Sequence, residues 1–431
     1  MEFFRLAVLL FLICTPKYCA SSGVDPTLQL ELVHVLTRHG DRNMLDPKWS
    51  YPDDPYRNES YWPEGYAQLS KLGKQQHYAL GQWFRTRYSK FLSEAYSLYD
   101  IYVESSDVDR TIMSAQANLA GLYPPNGTID PTSVWNEALP WQPIPVHTIP
   151  KDFDNKLQLS APCPRASRLI SDYNNGPETI AILSENAEMF AHFANNTGRP
   201  IRNLADVHFL YDPLLIKSIH NYSLPAWSEG YFPGGQLFNL TSMSFRVWTW
   251  NDELKRLKGG PMIKEVVQHF QEKVQGVNYS VGQGETVRLT DTTDEFEVDE
   301  RPEADDHTDG ARKLQSSIKT LDKRMKFFMS SGHDTTISSV LNSLGVWNGL
   351  PPPYASAVMF ELKRKPGRIQ GDKEAYFVEI YYRNETGPSD PNLLTIPGCA
   401  ASCRLDKFVE LTRSAIPLNW EWDCIDASFT A

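Results

Sequence analysis

The sequence has 431 residues, of which 41% are hydrophobic and 22% charged, the composition of a folded globular protein rather than of a disordered chain or a coiled coil. Its net charge of −11 argues against a protein whose main task is to bind nucleic acid. An apolar run of about 18 residues is missing, so the sequence predicts no membrane-spanning helix.

The first residues of the chain are typical of a secretory signal peptide. Arg5 is followed by the uncharged apolar stretch 6–14, and small residues follow from Ala20 onwards. We therefore predict a signal peptide over residues 1–20 and secretion as the default destination, with a buried N-terminal helix or strand as the alternative. The last residues contain no apolar tail, lipid-anchor signal or retention tetrapeptide, which agrees with that expectation.

Strands and helices alternate along most of the remaining chain. This order predicts an α/β fold with a three-layer core around a mostly parallel central sheet. Short apolar or alternating stretches predict strands at 28–37, 100–104, 325–330, 358–362 and 376–382. Apolar residues at helical spacing predict helices within 65–92, at 108–122, 178–194, 203–218 and 261–274, and from residue 335 onwards.

The middle of the chain differs from its two ends in composition. Residues 131–261 are rich in Pro, Trp and Asn, and we predict that they form a smaller, mostly helical cap inserted in the α/β core, which would comprise 27–130 and 320–431. Residues 262–319 would add a helix and an acidic segment, 285–309, which has eleven Asp and Glu against two Arg. Such a run is typical of a solvated loop, with docking of a basic partner or a cation as the alternative.

The cysteines and the glycosylation sequons also indicate an exported protein. Removal of the signal peptide would leave Cys163, Cys399, Cys403 and Cys424, which allow three pairings of two disulfides. Because Cys399 and Cys403 are four positions apart, a bridge between them is easiest, and it would leave Cys163 with Cys424. Seven Asn-x-Ser/Thr sequons predict surface glycosylation at Asn58, Asn126, Asn195, Asn221, Asn239, Asn278 and Asn384.

The residues most suited to chemistry follow the first predicted strand directly. Arg38, His39 and Arg42 would lie at the carboxyl end of that strand, where α/β proteins bind their ligands. Guanidinium groups match phosphate oxygens, and an imidazole whose pKa is lowered by neighbouring positive charges is free to attack phosphorus. The simpler interpretation is that both arginines form surface salt bridges and that His39 is a turn residue.

Two further clusters follow other predicted strands. His333 and Asp334 open a helix, so His333 could donate to a phosphate oxygen and a protonated Asp334 could donate to a leaving alkoxide. An ordinary helix N-cap is the alternative for this pair. Arg110 could reach the same pocket, unless it pairs on the helix surface with Asp107 or Asp109.

Signatures of other enzyme classes are missing from the sequence. It contains no GxSxG elbow, no HExxH motif and no P-loop. The other histidines show no metal-ligand spacing, and the cysteines lack the paired CxxC pattern of zinc sites, so we predict no metal site. These histidines are His34, which we expect to be packed inside a strand, and His77, His147, His192, His208, His220, His269 and His307.

The combination of these motifs resembles the histidine acid phosphatases, the secreted branch of the histidine phosphatase superfamily. The resemblance extends over about 28–424 and is carried by Thr37–Arg42, 68–73, 106–114, 211–215 and Ser331–Thr336. It implies an α/β core with a helical cap, and hydrolysis of small phosphate monoesters without a metal or an organic cofactor. The sequence departs from the family pattern at Met44, where proline is frequent, and in its acidic segment.

The resemblance also implies a role for each candidate residue. His39 would be the nucleophile that forms a phosphohistidine, and Asp334 would be the proton donor to the leaving alcohol. Arg38, Arg42, Arg110 and His333 would bind the phosphoryl oxygens. An acidic optimum would follow, since Asp334 must carry a proton while His39 stays a nucleophile.

Three functions compete at this point. A secreted acid phosphomonoesterase is the main hypothesis. A phytase-like or lysophospholipid-directed phosphatase ranks lower because residues 131–261 contain no dense basic cluster. A secreted binding protein that lost turnover ranks lower because all six candidate residues are present. The family further implies a homodimer, and the lysosome is the alternative location.

Overall fold

A computed structural model describes residues 25–275, 322–385, 387 and 390–426. The predicted signal peptide, the acidic segment 285–309 and the sequon at Asn278 lie outside the described residues. Eight strands of the described chain form one sheet. They are β1 (Gln29–Arg38), β2 (Ile101–Ser106), β3 (His147–Ile149), β4 (Phe327–Gly332), β5 (Ala357–Arg364), β6 (Tyr376–Arg383), β7 (Asn392–Leu394) and β8 (Cys403–Arg404).

The strand order is β3-β2-β4-β1-β5-β6-β7, and β8 pairs with β6. Strands β3, β2, β4 and β1 are parallel, whereas β5 to β8 pair in antiparallel fashion. The sheet is therefore mixed, and the expectation of a mostly parallel sheet holds for only one half of it. The connection 365–375 between β5 and β6 is too short for the crossover that a parallel pair requires.

Helices cover both faces of this sheet, as a three-layer core requires. Helices α1 (Lys71–Arg87) and α2 (Asp109–Leu122) pack on the face to which Val33 and Val35 of β1 contribute. Helices α9 (Gly260–Gln275) and α10 (Asp334–Ser343) pack on the face of Leu32 and Leu36. Both faces of β1 are thus buried, which explains its nearly continuous apolar sequence. The α-helices of the described chain are α1 (Lys71–Arg87), α2 (Asp109–Leu122), α3 (Pro164–Asn174), α4 (Pro177–Glu185), α5 (Ala187–Thr197), α6 (Leu204–Ile219), α7 (Gly235–Ser244), α8 (Asp252–Leu254), α9 (Gly260–Gln275), α10 (Asp334–Ser343), α11 (Leu405–Thr412) and α12 (Trp420–Asp423).

Helices α3 to α7, here called the helical insertion, form a hydrophobic cluster separate from those of the core. Phe193, Leu210 and Leu237 are buried in it, and Tyr51 joins it from the segment between β1 and α1. The β3 strand, which lies in the segment 131–261 predicted to form the cap, instead pairs with β2. This stretch therefore belongs to the main sheet, because its backbone completes the edge of β2.

The helix predicted over 178–194 is two helices, α4 and α5. Asn186 separates them, with backbone angles φ −107° and ψ 13° that depart from the α-helical range. Asparagine competes for backbone hydrogen bonds and is therefore frequent at such breaks, which the apolar periodicity does not indicate.

The surface features agree in part with the sequence. Among the described sequons, the asparagine is half-buried at Asn384 and exposed at Asn58, Asn126, Asn195, Asn221 and Asn239. In the part of the chain that the structure describes, no helix combines the length and apolar character needed to cross a membrane.

Two disulfides connect distant and neighbouring parts of the chain. Cys163, which precedes α3, is bonded to Cys424, which follows α12, over a sequence separation of 261 residues. Cys399 is bonded to Cys403, over a separation of four residues. The first bridge joins the start of the helical insertion to the C-terminal part of the chain.

We predict that the long bridge stabilises the protein more than the short one. Replacing Cys163 and Cys424 by alanine should lower the free energy of unfolding by about 5 kcal/mol, and replacing Cys399 and Cys403 by about 2 kcal/mol, because the entropy of the unfolded chain rises with the length of the released loop. Urea unfolding of the two double variants measures the difference. Equal losses would contradict an origin in loop length.

Candidate active site

The carboxyl ends of three strands bring the candidate residues together. β1, β4 and β2 are adjacent and parallel, so the residues that follow them lie at the same edge of the sheet. The backbone N–H of His39 donates to the carbonyl of Gly332 at 3.0 Å, and the rings of His39 and His333 lie 5.6 Å apart, edge to face. The two histidine clusters of the sequence therefore form one site.

Residues 38–42, here called the β1 loop, are held tightly against the start of α1. A Cβ atom on Gly40 would lie 2.4 Å from the carbonyl oxygen of Gly73, and one on Gly73 would lie 2.1 Å from that of Asp41. Glycine is therefore required at both positions. Ser70, the N-cap of α1, donates to Asp41 Oδ2 at 2.5 Å and accepts from the Gly73 N–H.

His39 is a neutral imidazole with a defined tautomer. Burial, followed by the charges of Arg110 and Arg38, holds the pKa of His39 well below its usual 6.5. Its Nδ1 lies 2.8 Å from the carbonyl oxygen of Gly40. Because a carbonyl only accepts, Nδ1 carries the proton and Nε2 keeps its lone pair. Nε2 is therefore the atom able to act as a nucleophile.

Three guanidinium groups face this imidazole with unused donors. The Nε atoms of Arg38, Arg42 and Arg110 are all buried without a hydrogen-bond partner among the described residues. Burial and the charge of Arg42 lower the pKa of Arg110 to about 10, so that Arg110 remains charged at physiological pH. Buried donors of this kind fit a ligand with several negatively charged oxygens, such as a phosphoryl group.

Arg38 forms an ion pair with Asp334, the carboxylate that the sequence analysis proposed as a proton donor. Its Nη2 lies 2.8 Å from Asp334 Oδ2, and its Nη1 donates to the Pro352 carbonyl at 2.6 Å. Its guanidinium carbon lies 4.0 Å from the ring centroid of Tyr354, a cation–π contact.

Asp334 is ionised in this arrangement. Burial by itself would raise the pKa of its carboxyl, but Arg38 and then His208 lower it, to about 2. The sequence analysis required Asp334 to carry a proton. These surroundings do not hold that proton, because the guanidinium charge outweighs the burial of the carboxyl.

His333 is likewise neutral, since burial and then Arg110 lower its pKa to about 3. Its Nδ1 lies 3.5 Å from Arg110 Nη2, and its Nε2 lies 2.9 Å from Ser106 Oγ. A guanidinium only donates, so Nδ1 accepts and Nε2 donates to Ser106. The expected donation from His333 to a phosphate oxygen would need the other tautomer, with the Ser106 hydroxyl as the donor to Nε2.

Helix α6 adds residues that the sequence analysis did not assign to the site. Asp212 Oδ1 lies 2.8 Å from Arg42 Nη2, and both side chains are buried. His220, at the end of α6, lies 2.9 Å from Asp41 Oδ2. Asp212 and His220 are eight residues apart, about 2.2 helical turns, a spacing that could have indicated one broad face.

A second cluster lies deeper in the core, between β1 and α9. His34, Glu265 and His269 place one possible metal ligand atom each within 4.8 Å of the others, although their sequence spacing did not predict such a group. His34 Nε2 lies 3.0 Å from His269 Nδ1, and Lys156 Nζ lies 2.5 Å from Glu265 Oε2. The Lys156 ammonium group is shared between this carboxylate and Glu104, whose Oε1 lies 2.7 Å from it. Because Glu265 is already ion-paired and the two imidazoles are hydrogen-bonded to each other, we interpret this cluster as a hydrogen-bonded part of the core.

Comparison with known proteins gives the family of this chain. Residues 29–383 match the sequence model of the histidine phosphatase superfamily (branch 2). Prostatic acid phosphatase of Bos taurus is 36% identical over 424 residues, which cover 97% of this chain and 93% of the relative. Lysosomal acid phosphatase of Homo sapiens is 35% identical over 403 residues, which cover 93% of this chain and 81% of the relative.

A solved structure shows the same fold at a much greater sequence distance. The Hafnia alvei phytase in complex with myo-inositol hexakis sulphate aligns with a TM-score of 0.62 at 15% identity, and the alignment covers 92% of this chain and 99% of the phytase. At this identity the similarity concerns the fold alone. Together with the family match and the two curated relatives, it leads to one conclusion: the chain belongs to the histidine phosphatase superfamily, branch 2.

Proposed function

We propose that this protein is an acid phosphatase that hydrolyses small phosphate monoesters through a phosphohistidine at His39. The observation that carries the proposal is a neutral imidazole, with its lone pair on Nε2, beside three guanidinium groups whose buried Nε donors are unused. A nucleophile and positive charge for the transferring phosphoryl group are the two parts that this chemistry needs. The phosphatase names of the curated relatives support the same activity.

The reaction would proceed in two displacements. In the first, His39 Nε2 forms a bond to phosphorus while the bond from phosphorus to the alcohol oxygen breaks, and Asp334 protonates that oxygen. In the second, a water oxygen forms a bond to phosphorus and gives a proton to the Asp334 carboxylate, while the bond from phosphorus to His39 Nε2 breaks and its electron pair returns to Nε2. This step releases inorganic phosphate. Arg38, Arg42, Arg110 and His333 would hold the phosphoryl oxygens in both steps.

Asp334 can donate a proton only after its ion pair with Arg38 is weakened, because this pair keeps the carboxyl ionised. A phosphoryl group bound to Arg38 competes with Asp334 for the guanidinium and adds negative charge beside the carboxylate. Both effects raise the pKa of Asp334 from its low value in the ion pair. The substrate itself would thus create the proton donor, which the protein alone keeps ionised.

Two other functions receive less support. A polyphosphorylated or lysophospholipid substrate would suit a basic binding surface, but residues 131–261 contain 11 Lys and Arg against 12 Asp and Glu. A binding protein without turnover would not need His39, Asp334 and the three arginines in one site, where the structure nevertheless brings them together. We therefore retain the phosphomonoesterase.

We further propose that the protein enters the secretory pathway and is secreted, with the lysosome as the alternative. Two disulfides and the exposed sequon asparagines on the described surface support an oxidising compartment. The signal peptide, occupancy of the sequons and a homodimer stay predictions.

Replacement of the nucleophile tests the proposed function directly. His39→Ala should lower kcat for p-nitrophenyl phosphate by about 10³-fold or more, without added metal, because no covalent intermediate can form. Neutral quenching of the wild-type reaction followed by mass spectrometry should detect phosphate on His39. His192→Ala, in the helical insertion, is the matched control and should keep activity. A folded wild-type protein inactive at every pH would refute the function.

Leaving-group dependence tests the role of Asp334. Asp334→Asn cannot donate a proton, so hydrolysis of an alkyl phosphate such as glycerol 2-phosphate should fall by about 10²- to 10⁴-fold. Hydrolysis of p-nitrophenyl phosphate should fall much less, because p-nitrophenolate leaves without protonation. Steady-state kcat values for the two substrates give the comparison. An equal loss with both would show that Asp334 acts only through its ion pair with Arg38.

A further inference from the structure

Helix α6 contacts the β1 loop at two points through neighbouring residues of that loop. Asp212 binds Arg42, and His220 binds Asp41, at 2.8 and 2.9 Å respectively. His220 directly follows the last residue of α6. Eight residues are about 2.2 turns, so positions 212 and 220 lie about 80° apart around the helix axis, within one broad face. The helical insertion therefore holds the loop that carries His39 by two charged side chains.

Asp41 depends on a positive partner because it is completely buried. Its Oδ2 accepts from the Ser70 hydroxyl and from His220 Nε2, and its Oδ1 is buried without a hydrogen-bond partner among the described residues. A buried carboxylate is costly unless it is paired with a charge. Of the two side chains that hydrogen-bond to its carboxylate in the described chain, only His220 can become a cation. With a neutral His220, the carboxylate would keep a hydrogen bond but lose its counter-charge.

The groups that face His220 favour its charged form. They are Asp41 from the β1 loop and Glu64 from the segment before α1. The uncharged Trp62 ring also packs edge to face on His220, with 5.7 Å between the two ring centroids. The hydrogen bond to Asp41 raises the pKa of His220 above 6.5, although partial burial opposes this. The ion pair is therefore complete in acid, and it weakens as the pH rises through the raised pKa.

We propose that His220 is a pH-dependent positioning residue, whose imidazolium holds Asp41 and thereby keeps the β1 loop in its anion-binding geometry. In acid, Asp212 and His220 both hold the loop. Above the raised pKa of His220 the loop keeps only Asp212, and Arg42 and His39 lose part of their fixed placement. Only the effect on turnover rests on the proposed function, whereas the effect on anion binding does not.

Without a bound anion, the other groups of the site do not change their charge in this pH range. His39 and His333 are neutral from weak acid upwards, since their pKa values lie far below 6.5. Asp334 is ionised over the same range, since its pKa is about 2. A bound anion would raise the pKa of Asp334 in the wild type and in a His220 variant alike. The part of the pH dependence of anion binding that His220→Asn removes therefore belongs to His220.

Sulfate binding tests the proposal without turnover, because sulfate does not change its charge between pH 5 and 8. Calorimetric titration of the full protein should show sulfate binding that weakens on the order of 10-fold from pH 5 to pH 7.5. In His220→Asn, which keeps a side-chain N–H but no charge, binding should be weak at both pH values. His192→Asn, in the same insertion, should behave like the wild type. His220→Lys should keep tight binding at pH 7.5.

Turnover separates this proposal from the proposed function. With p-nitrophenyl phosphate, kcat/KM of His220→Asn should lose its decline towards neutral pH, and the largest loss relative to wild type should be in acid. A loss by the same factor at every pH would show a merely structural role and overturn the proposal. Sulfate binding with the predicted pH dependence in an inactive wild type would refute the phosphatase function and leave the role of His220 intact.

Discussion

The concentration of positive charge at the end of β1 is the constraint on which the rest of the site depends. Three guanidinium groups lie close to two imidazoles at one edge of the sheet, and buried charges cost several kcal/mol each unless they are compensated. The structure meets this cost in two ways. Both imidazoles are neutral, and carboxylates from two helices, Asp334 of α10 and Asp212 of α6, pair with two of the arginines. The layers around the sheet are therefore needed for charge balance as well as for burial of apolar surface.

This charge balance also changes how a preference for acid should be explained. A proton held on Asp334 by its surroundings is the simplest explanation, but the ion pair with Arg38 lowers the pKa of that carboxyl to about 2. Proton donation then depends on the substrate, whose negative charge displaces the carboxylate from the guanidinium. The group of the protein that we propose to gain a proton in weak acid is instead His220, which contacts Asp41 of the β1 loop.

The sequence analysis predicted the strands and motifs that depend on local sequence pattern. It missed contacts between segments that are distant along the chain. The strands that end at Arg38 and just before His333 are apolar and lead into polar clusters, so the place of these clusters at a common edge follows from the α/β pattern. The pairing of β3 with β2 rests on three residues without apolar alternation, which no periodicity reveals. The contact of His220 with Asp41 joins positions 179 residues apart, and neither residue is unusual in its local sequence. Conformational breaks such as Asn186 also depend on backbone hydrogen bonding that a hydrophobic pattern does not record.

The helical insertion is part of the catalytic architecture and not only a cover over it. Its α6 helix contacts both the β1 loop and the segment that follows it, where buried Lys217 pairs with Asp54 at 2.9 Å and contacts the Tyr51 hydroxyl. The disulfide from Cys163 to Cys424 fixes the start of the insertion to the C-terminal part of the chain. A shift of α6 would therefore move Asp212 and His220 together, and with them Arg42 and Asp41 of the loop that carries the nucleophile. Because the site and the insertion share these ion pairs, sequence changes in the insertion can alter anion binding without touching the substrate.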